Sequence, residues 1–204
     1  MGSPPFQSRE WVAQPRNLSG AGIHDDATAQ KLGFAGGFVP GVSLYEHVVA
    51  ELLRQGVDWL HEGRASSQFR RPVYSGADTR FAVDATARTF LIRGIEDETP
   101  RARGDLDVAD DAPTIPSGTV APPPSGAKAA LGDPAQIGVL LGHERVIETK
   151  DLDASAALTG FPRADAEGRR LVPAGQWTNP VRLLQEYFDC PTTIQFQGRV
   201  WHNH

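Results

Sequence analysis

The chain carries one short pattern twice, and that repeat limits it to architectures built from two like units. Asp26-Ala27-Thr28-Ala29-Gln30-Lys31-Leu32-Gly33-Phe34 is answered by Asp153-Ala154-Ser155-Ala156-Ala157-Leu158-Thr159-Gly160-Phe161. Further on, Phe38-Val39-Pro40-Gly41 finds an echo in Leu171-Val172-Pro173-Ala174-Gly175. Then Phe69-Arg70-Arg71-Pro72-Val73-Tyr74 faces Phe196-Gln197-Gly198-Arg199-Val200-Trp201, back at the spacing of the first block. The second copy holds six extra residues, in Arg163 to Arg170. Three blocks in one order and at similar spacing predict two homologous units.

Residues 112–125 read Ala-Pro-Thr-Ile-Pro-Ser-Gly-Thr-Val-Ala-Pro-Pro-Pro-Ser. Such a run has little apolar surface to bury and favours extended backbone. It predicts a linker over 112–134, between a first unit at 1–111 and a second at 135–204. Within the first unit, Asp26 is placed to cap a short helix that ends near Gly33. Pro40-Gly41 is a turn before a longer helix. In that helix Tyr45, Val48, Val49, Leu52 and Leu53 form one apolar stripe that must lie on a sheet, and Gly56 ends it. Strands are expected at 67–74, 79–89, 90–95 and 101–108, the second with Phe81, Val83 and Ala85 alternating. A helix followed by antiparallel strands is an α+β pattern, a sheet wrapped around one helix. The second unit is expected to have a strand at 137–148, a helix near 179–188 and a strand at 192–201. The later strands of the first unit have no counterpart, so the second is truncated. An open sheet edge rarely stays bare, and a homodimer is expected to cover it.

The formal net charge of −5, with a sequence pI of about 5.7, gives no cationic footprint for nucleic acid or an anionic membrane. No stretch of about 18 apolar residues is present to span a bilayer. Met1 to Pro5 lacks the basic start of a secretory leader. The single cysteine, Cys190, permits no internal disulfide and fits a reducing, cytoplasmic setting.

A set of motifs resembles the MaoC-type dehydratases and (R)-specific enoyl-thioester hydratases. They are Gly22-Ile23-His24-Asp25-Asp26, Gly33-Phe34, Gly36-Gly37-Phe38-Val39-Pro40-Gly41-Val42 and Phe69-Arg70-Arg71-Pro72-Val73-Tyr74-Ser75-Gly76. The resemblance is dense over 17–77 and faint over 137–201. It implies a hotdog fold, here a tandem pair with the second unit truncated. It also implies a lyase that adds water to, or removes it from, an acyl thioester or a related β-hydroxy carbonyl compound. Hydration of an enoyl bond needs a base, an acid and a donor to the developing oxyanion. The resemblance assigns the base to His24 and the oxyanion donor to the Gly41 amide, followed by Val42 at the helix start. It leaves Ser19, Asn17 or Asp25 to position the water, and Arg70 to meet a phosphate of the thioester carrier. No cofactor is implied.

This chain departs from the family motif Asp-x-Asn-Pro-(Ile/Leu)-His-x-Asp. Ser19 stands where the catalytic Asp belongs, Ala21 replaces Asn and Gly22 replaces Pro. Arg16 to Ile23 contains no acid, and Asp151 stands at the second copy's histidine position. Asp26 reads as a cap rather than a catalyst, since Asp153 repeats it where the histidine is missing. Two other readings stay open: a non-catalytic hotdog subunit that binds a ligand or partner, and a hotdog thioesterase. His24 is expected to line a pocket between the units near the helix start. Residues 175–188 would close that pocket, with Glu186 a candidate carboxylate. His61-Glu62 reads as an exposed helical turn, and His202, His204 and Cys190 have no context that makes a site.

Overall fold

The computed structural model describes residues 5–18, 22–108, 118–130, 148–177 and 186–189, and the backbone of 197–201. It is a mixed α+β structure organised by one antiparallel sheet. The strands are β1 (Arg9–Ala13), β2 (Gly63–Phe69), β3 (Thr79–Asp84), β4 (Thr89–Gly94) and β5 (Pro100–Val108). They are joined at one side by β8 (Gln197–Trp201), in the order β1-β3-β4-β5-β2-β8. Every neighbouring pair runs antiparallel.

Alternation builds the inner face. Thr79, Phe81 and Val83 are buried on β3, Phe90 and Ile92 on β4, and Ala102, Gly104 and Leu106 on β5. Residue 104 has to be glycine: a Cβ there would lie 1.8 Å from the Ser66 carbonyl oxygen of the adjacent strand. Three expected strands fall close to their places, and β2 lies earlier than 67–74. The polar sequence of β1 gave no strand signal, yet Trp11 pairs with Phe81 and stacks on it, ring centroids 5.4 Å apart.

The central helix α2 (Gly41–Arg54) follows Pro40, whose fixed φ suits a helix start. It ends where Gly56 takes φ +79°, a conformation glycine adopts without steric cost. Tyr45, Val48, Val49 and Leu52 of its stripe are buried against the sheet, and Leu53 is partly buried. Tyr45 meets Phe90, and its hydroxyl accepts from Trp59 Nε1 at 3.0 Å. Each such chain contributes about 1.5–3 kcal/mol by leaving water. Most of the opposite face is buried as well, and Arg54 at its end is exposed. Glu46 and Glu51 are buried there; the partners of Glu46 come from distant segments, and Glu51 pairs with the distant Arg9 and with two nearby residues. Glu51 receives Arg9, Arg54 and Gln55. Glu46 receives Ser155, Thr159 and the Gly175 amide.

These donors belong to the helices α4 (Thr149–Thr159) and α5 (Ala174–Trp177), which pack on α2. The preceding short helices are α1 (Asp26–Lys31) and α3 (Trp59–Glu62). α1 and α4 share a terminus: Gly33 (φ +88°) and Gly160 (φ +72°) are left-handed, and a phenylalanine follows each. α5 starts after Pro173 as α2 starts after Pro40.

The expected linker over 112–134 is anchored within its described part. There β6 (Ala129–Ala130) pairs in parallel with β7 (Phe188–Asp189), and the Ala121 carbonyl accepts from the Tyr187 hydroxyl. Most of the expected strand at 137–148 and helix at 179–188 lie outside the described residues. At the helix's expected end Phe188 is instead in a strand. Gln197–Trp201 is a strand, within the expected 192–201.

Candidate functional site

The segment carrying His24 is held by its own backbone and by the chain that leads into α2. Gly22, at φ +60°, opens a 3-10 turn over Gly22–His24. Gly37 lies so close that a Cβ there would fall 2.2 Å from the His24 carbonyl oxygen. Val39 donates to the Val73 carbonyl at 2.8 Å, which fixes the strand-like run before Pro40.

The His24 ring is half-buried. Its Nδ1 lies 2.6 Å from the Phe38 carbonyl oxygen. A carbonyl oxygen only accepts, so Nδ1 carries the hydrogen and Nε2 presents a lone pair. Burial pulls the imidazole below its ordinary pKa, against the opposing effect of the Phe38 bond. The neutral form therefore dominates near pH 7, with Nε2 as a base. The Phe38 ring meets His24 edge-on at 5.5 Å and Phe34 at 5.2 Å, filling the space beside the imidazole.

The acidic neighbours have other tasks. Asp25, not Asp26, caps α1: its Oδ1 accepts from the Thr28 amide at 2.9 Å and the Thr28 hydroxyl at 3.0 Å. The Thr28 amide bond in particular holds this carboxyl below its ordinary range. Asp26 instead accepts from the Gly37 amide at 2.7 Å. The expectation that Asp26 caps the helix is therefore corrected by one residue. Both acids fit the start of the helix, and the Gly37 N–H claims the second. The Asn17 side chain donates to the His24 carbonyl, and its backbone amide to the Ser75 hydroxyl at 3.1 Å. Ser19 lies outside the described residues.

Gly41 and Val42 head α2, where the first amides of a helix have no intrahelical acceptor. Gly41 packs on Phe69, and a Cβ there would lie 2.6 Å from the ring. Arg70 is exposed just past β2 and donates to the Gln68 side chain at 2.8 Å. The structure thus ties His24 to Asn17 and, through Phe38, to the approach of α2, while the Asp25 carboxylate is turned to Thr28. Arg70 is engaged with Gln68 rather than with these residues.

Of the expected far wall, the Gly175 amide meets Glu46 on α2 at 3.0 Å, and Glu186 is half-buried beside β7. Sequence reasoning missed Glu46. Its only signal was its place next to the apolar stripe, which predicts a solvent-facing side chain. Among the described residues, no cluster of three or more His, Cys, Asp or Glu side chains could hold a metal ion. No described helix is long and apolar enough to cross a membrane. No family model matches the chain, and no curated protein matches it.

Proposed function

We propose that the chain is a MaoC-like hydratase/dehydratase of tandem hotdog architecture, with His24 as its base. The observation that carries this reading is the hydrogen bond from His24 Nδ1 to the Phe38 carbonyl, which leaves Nε2 basic on a segment leading into the head of α2. The strand order β1-β3-β4-β5-β2 around a single buried helix supports the hotdog reading of the first unit. The antiparallel pairing of β8 with β2 supports a second unit joined to it edge to edge. A homodimer is part of the same proposal.

The chemistry needs one histidine. Nε2 takes a proton from water as the water oxygen bonds to the β-carbon of the enoyl thioester. The double-bond electrons move to the α-carbon and on to the thioester oxygen. Amides at the head of α2 stabilise that oxyanion. The imidazolium then returns its proton to the α-carbon, and its lowered pKa makes it a stronger acid for that step. Crotonyl-coenzyme A tests the reading through loss of enoyl absorbance. His24→Ala should slow that loss about 10²–10⁴-fold while leaving the melting temperature nearly unchanged.

One observation favours a second reading. Asp25 Oδ1 is engaged by the Thr28 amide and hydroxyl, and the Asn17 side-chain amide donates to the His24 carbonyl, so both groups have structural engagements. A non-catalytic hotdog subunit fits that arrangement and would leave the enoyl signal constant. Release of free thiol would instead identify a thioesterase.

A further inference from the structure

A cleft enclosing about 160 Å³ lies between α4 and the loop that precedes α5. By the sequence register of the repeat, its lining between residues 149 and 173 corresponds to residues 22–40, which include the His24 segment. In the first copy Gly37 packs on the His24 carbonyl, and the Phe38 ring contacts both His24 and Phe34. In the second copy the six extra residues form a small hairpin instead. Leu171 donates to the Arg163 carbonyl at 3.0 Å, and Asp165 to the Arg169 carbonyl at 3.0 Å. In that register Arg170 stands where the first copy has Gly37, and it lines the cleft.

The lining has two characters. Leu152, Phe161 and Leu171 supply an apolar floor. At the rim, Arg170 donates to the Thr149 hydroxyl at 3.0 Å, and Arg163 lies 3.3 Å from Asp153. The Thr149 bond orients the Arg170 guanidinium without neutralising it. Among the described residues Arg170 pairs with no carboxylate, whereas Arg169 is committed to Asp165 and Glu167. Two guanidinium groups face one carboxylate, which leaves the rim one net positive charge. The volume of the cleft is close to the roughly 150 Å³ that holds a benzene-sized body, although its lining is of mixed polarity. A guanidinium fork is suited to binding a carboxylate through two parallel bonds.

We propose that this cleft binds a small organic monocarboxylate, with the carboxylate on Arg170 and a ring-sized or short-chain apolar body on Phe161 and Leu171. The site is separate from the His24 segment and does not rest on the hydratase reading.

Calorimetric titration of the full chain tests it with benzoate, benzyl alcohol and inorganic phosphate as probes. Benzoate should bind saturably at one site, at least tenfold tighter than the alcohol, because a hydrogen bond to a charged group is worth about that factor. Phosphate, which lacks the apolar body, should not displace it at equal concentration. Arg170→Ala should remove the preference for benzoate over the alcohol, and Arg169→Ala should keep it. Circular dichroism on both variants verifies folding, and Arg170→Lys, which retains the charge, should keep part of the preference. No saturable benzoate binding, equal affinity for the alcohol, displacement by phosphate, or equal losses in Arg169→Ala and Arg170→Ala would each overturn the proposal.

Discussion

Replacing Glu46 should loosen the hold of the second half of the chain on the first. The side chain is 2% exposed, on the face of α2 turned from the sheet. Its carboxylate accepts from the Ser155 hydroxyl at 2.5 Å, the Thr159 hydroxyl at 3.0 Å and the Gly175 amide at 3.0 Å. In Glu46→Ala the two hydroxyls have other acceptors within reach. Thr159 already lies 3.0 Å from the Ser155 carbonyl, and a helical serine can turn back onto its own helix. The Gly175 amide cannot turn. One buried donor left bare costs about 1–3 kcal/mol, and the lost charge-assisted bonds bring the total to about 2–4 kcal/mol. Glu46→Gln keeps an oxygen for Gly175 and offers its NH₂ to the hydroxyl oxygens, so it should cost about 1 kcal/mol or less. Burial raises this carboxyl above its ordinary range, against the bonds from Ser155, Thr159 and Gly175. The folded protein thus holds the proton more tightly than the unfolded chain. The linked stability is full below the unfolded pKa and is lost as pH rises through the raised folded value. Glu46→Gln should remove that part of the pH dependence. Urea unfolding followed by tryptophan fluorescence measures all three quantities, and a cycle with Ser155→Ala isolates the pair. A cost below 1 kcal/mol for Glu46→Ala, or equal costs for the alanine and glutamine variants, would refute the argument.

Three further outcomes follow. Burial, aided by the positive charge of Arg54, pulls His47 down to about 4, so folding keeps it neutral; stability is present above the unfolded value near 6.5 and falls as pH drops towards 4. Between pH 7 and pH 5 the loss should be about 2 kcal/mol, and His47→Leu should abolish it in urea titrations at the two pH values. Gly37→Ala drives a Cβ into the His24 carbonyl, a backbone atom with little freedom to yield, and should cost about 1–3 kcal/mol; an unchanged thermal midpoint would contradict the close packing. Light scattering should return the mass of a dimer at micromolar concentration, and a monomer would count against the proposed self-association.

Legibility followed the range of the interactions. The stripe of α2, the left-handed glycines at Gly33, Gly56 and Gly160, and three of the strands are written in local sequence, since each depends on neighbours a few residues away. The polar face of α2 misleads for the same reason. Glu46 and Glu51 read as solvated, and their burial is decided by Ser155, Gly175 and Arg9, far off in the chain. Likewise β1 has a weak pattern of its own and becomes a strand through Phe81 and Val83. At the candidate site, the motif singled out His24 as a candidate, but the engagement of its neighbours was not readable. Which of Asp25 and Asp26 would cap α1 turned on a single amide, that of Gly37, beyond the end of the helix.

The pairing of Arg64 with Trp201 bears on the order in which this protein is made. During synthesis the first 108 residues emerge with five strands and their helix already able to pair and bury a shared core. β2 must then wait, one edge unpaired, until residues 197–201 have left the ribosome. Its waiting edge offers a row of free amides and carbonyls to any strand that arrives first. Closing the sheet with so distant a strand is a long-range event and intrinsically slow. Newly made chains that stall before residue 197 would be the aggregation-prone species, and a chaperone that covers strand edges would act at this interval.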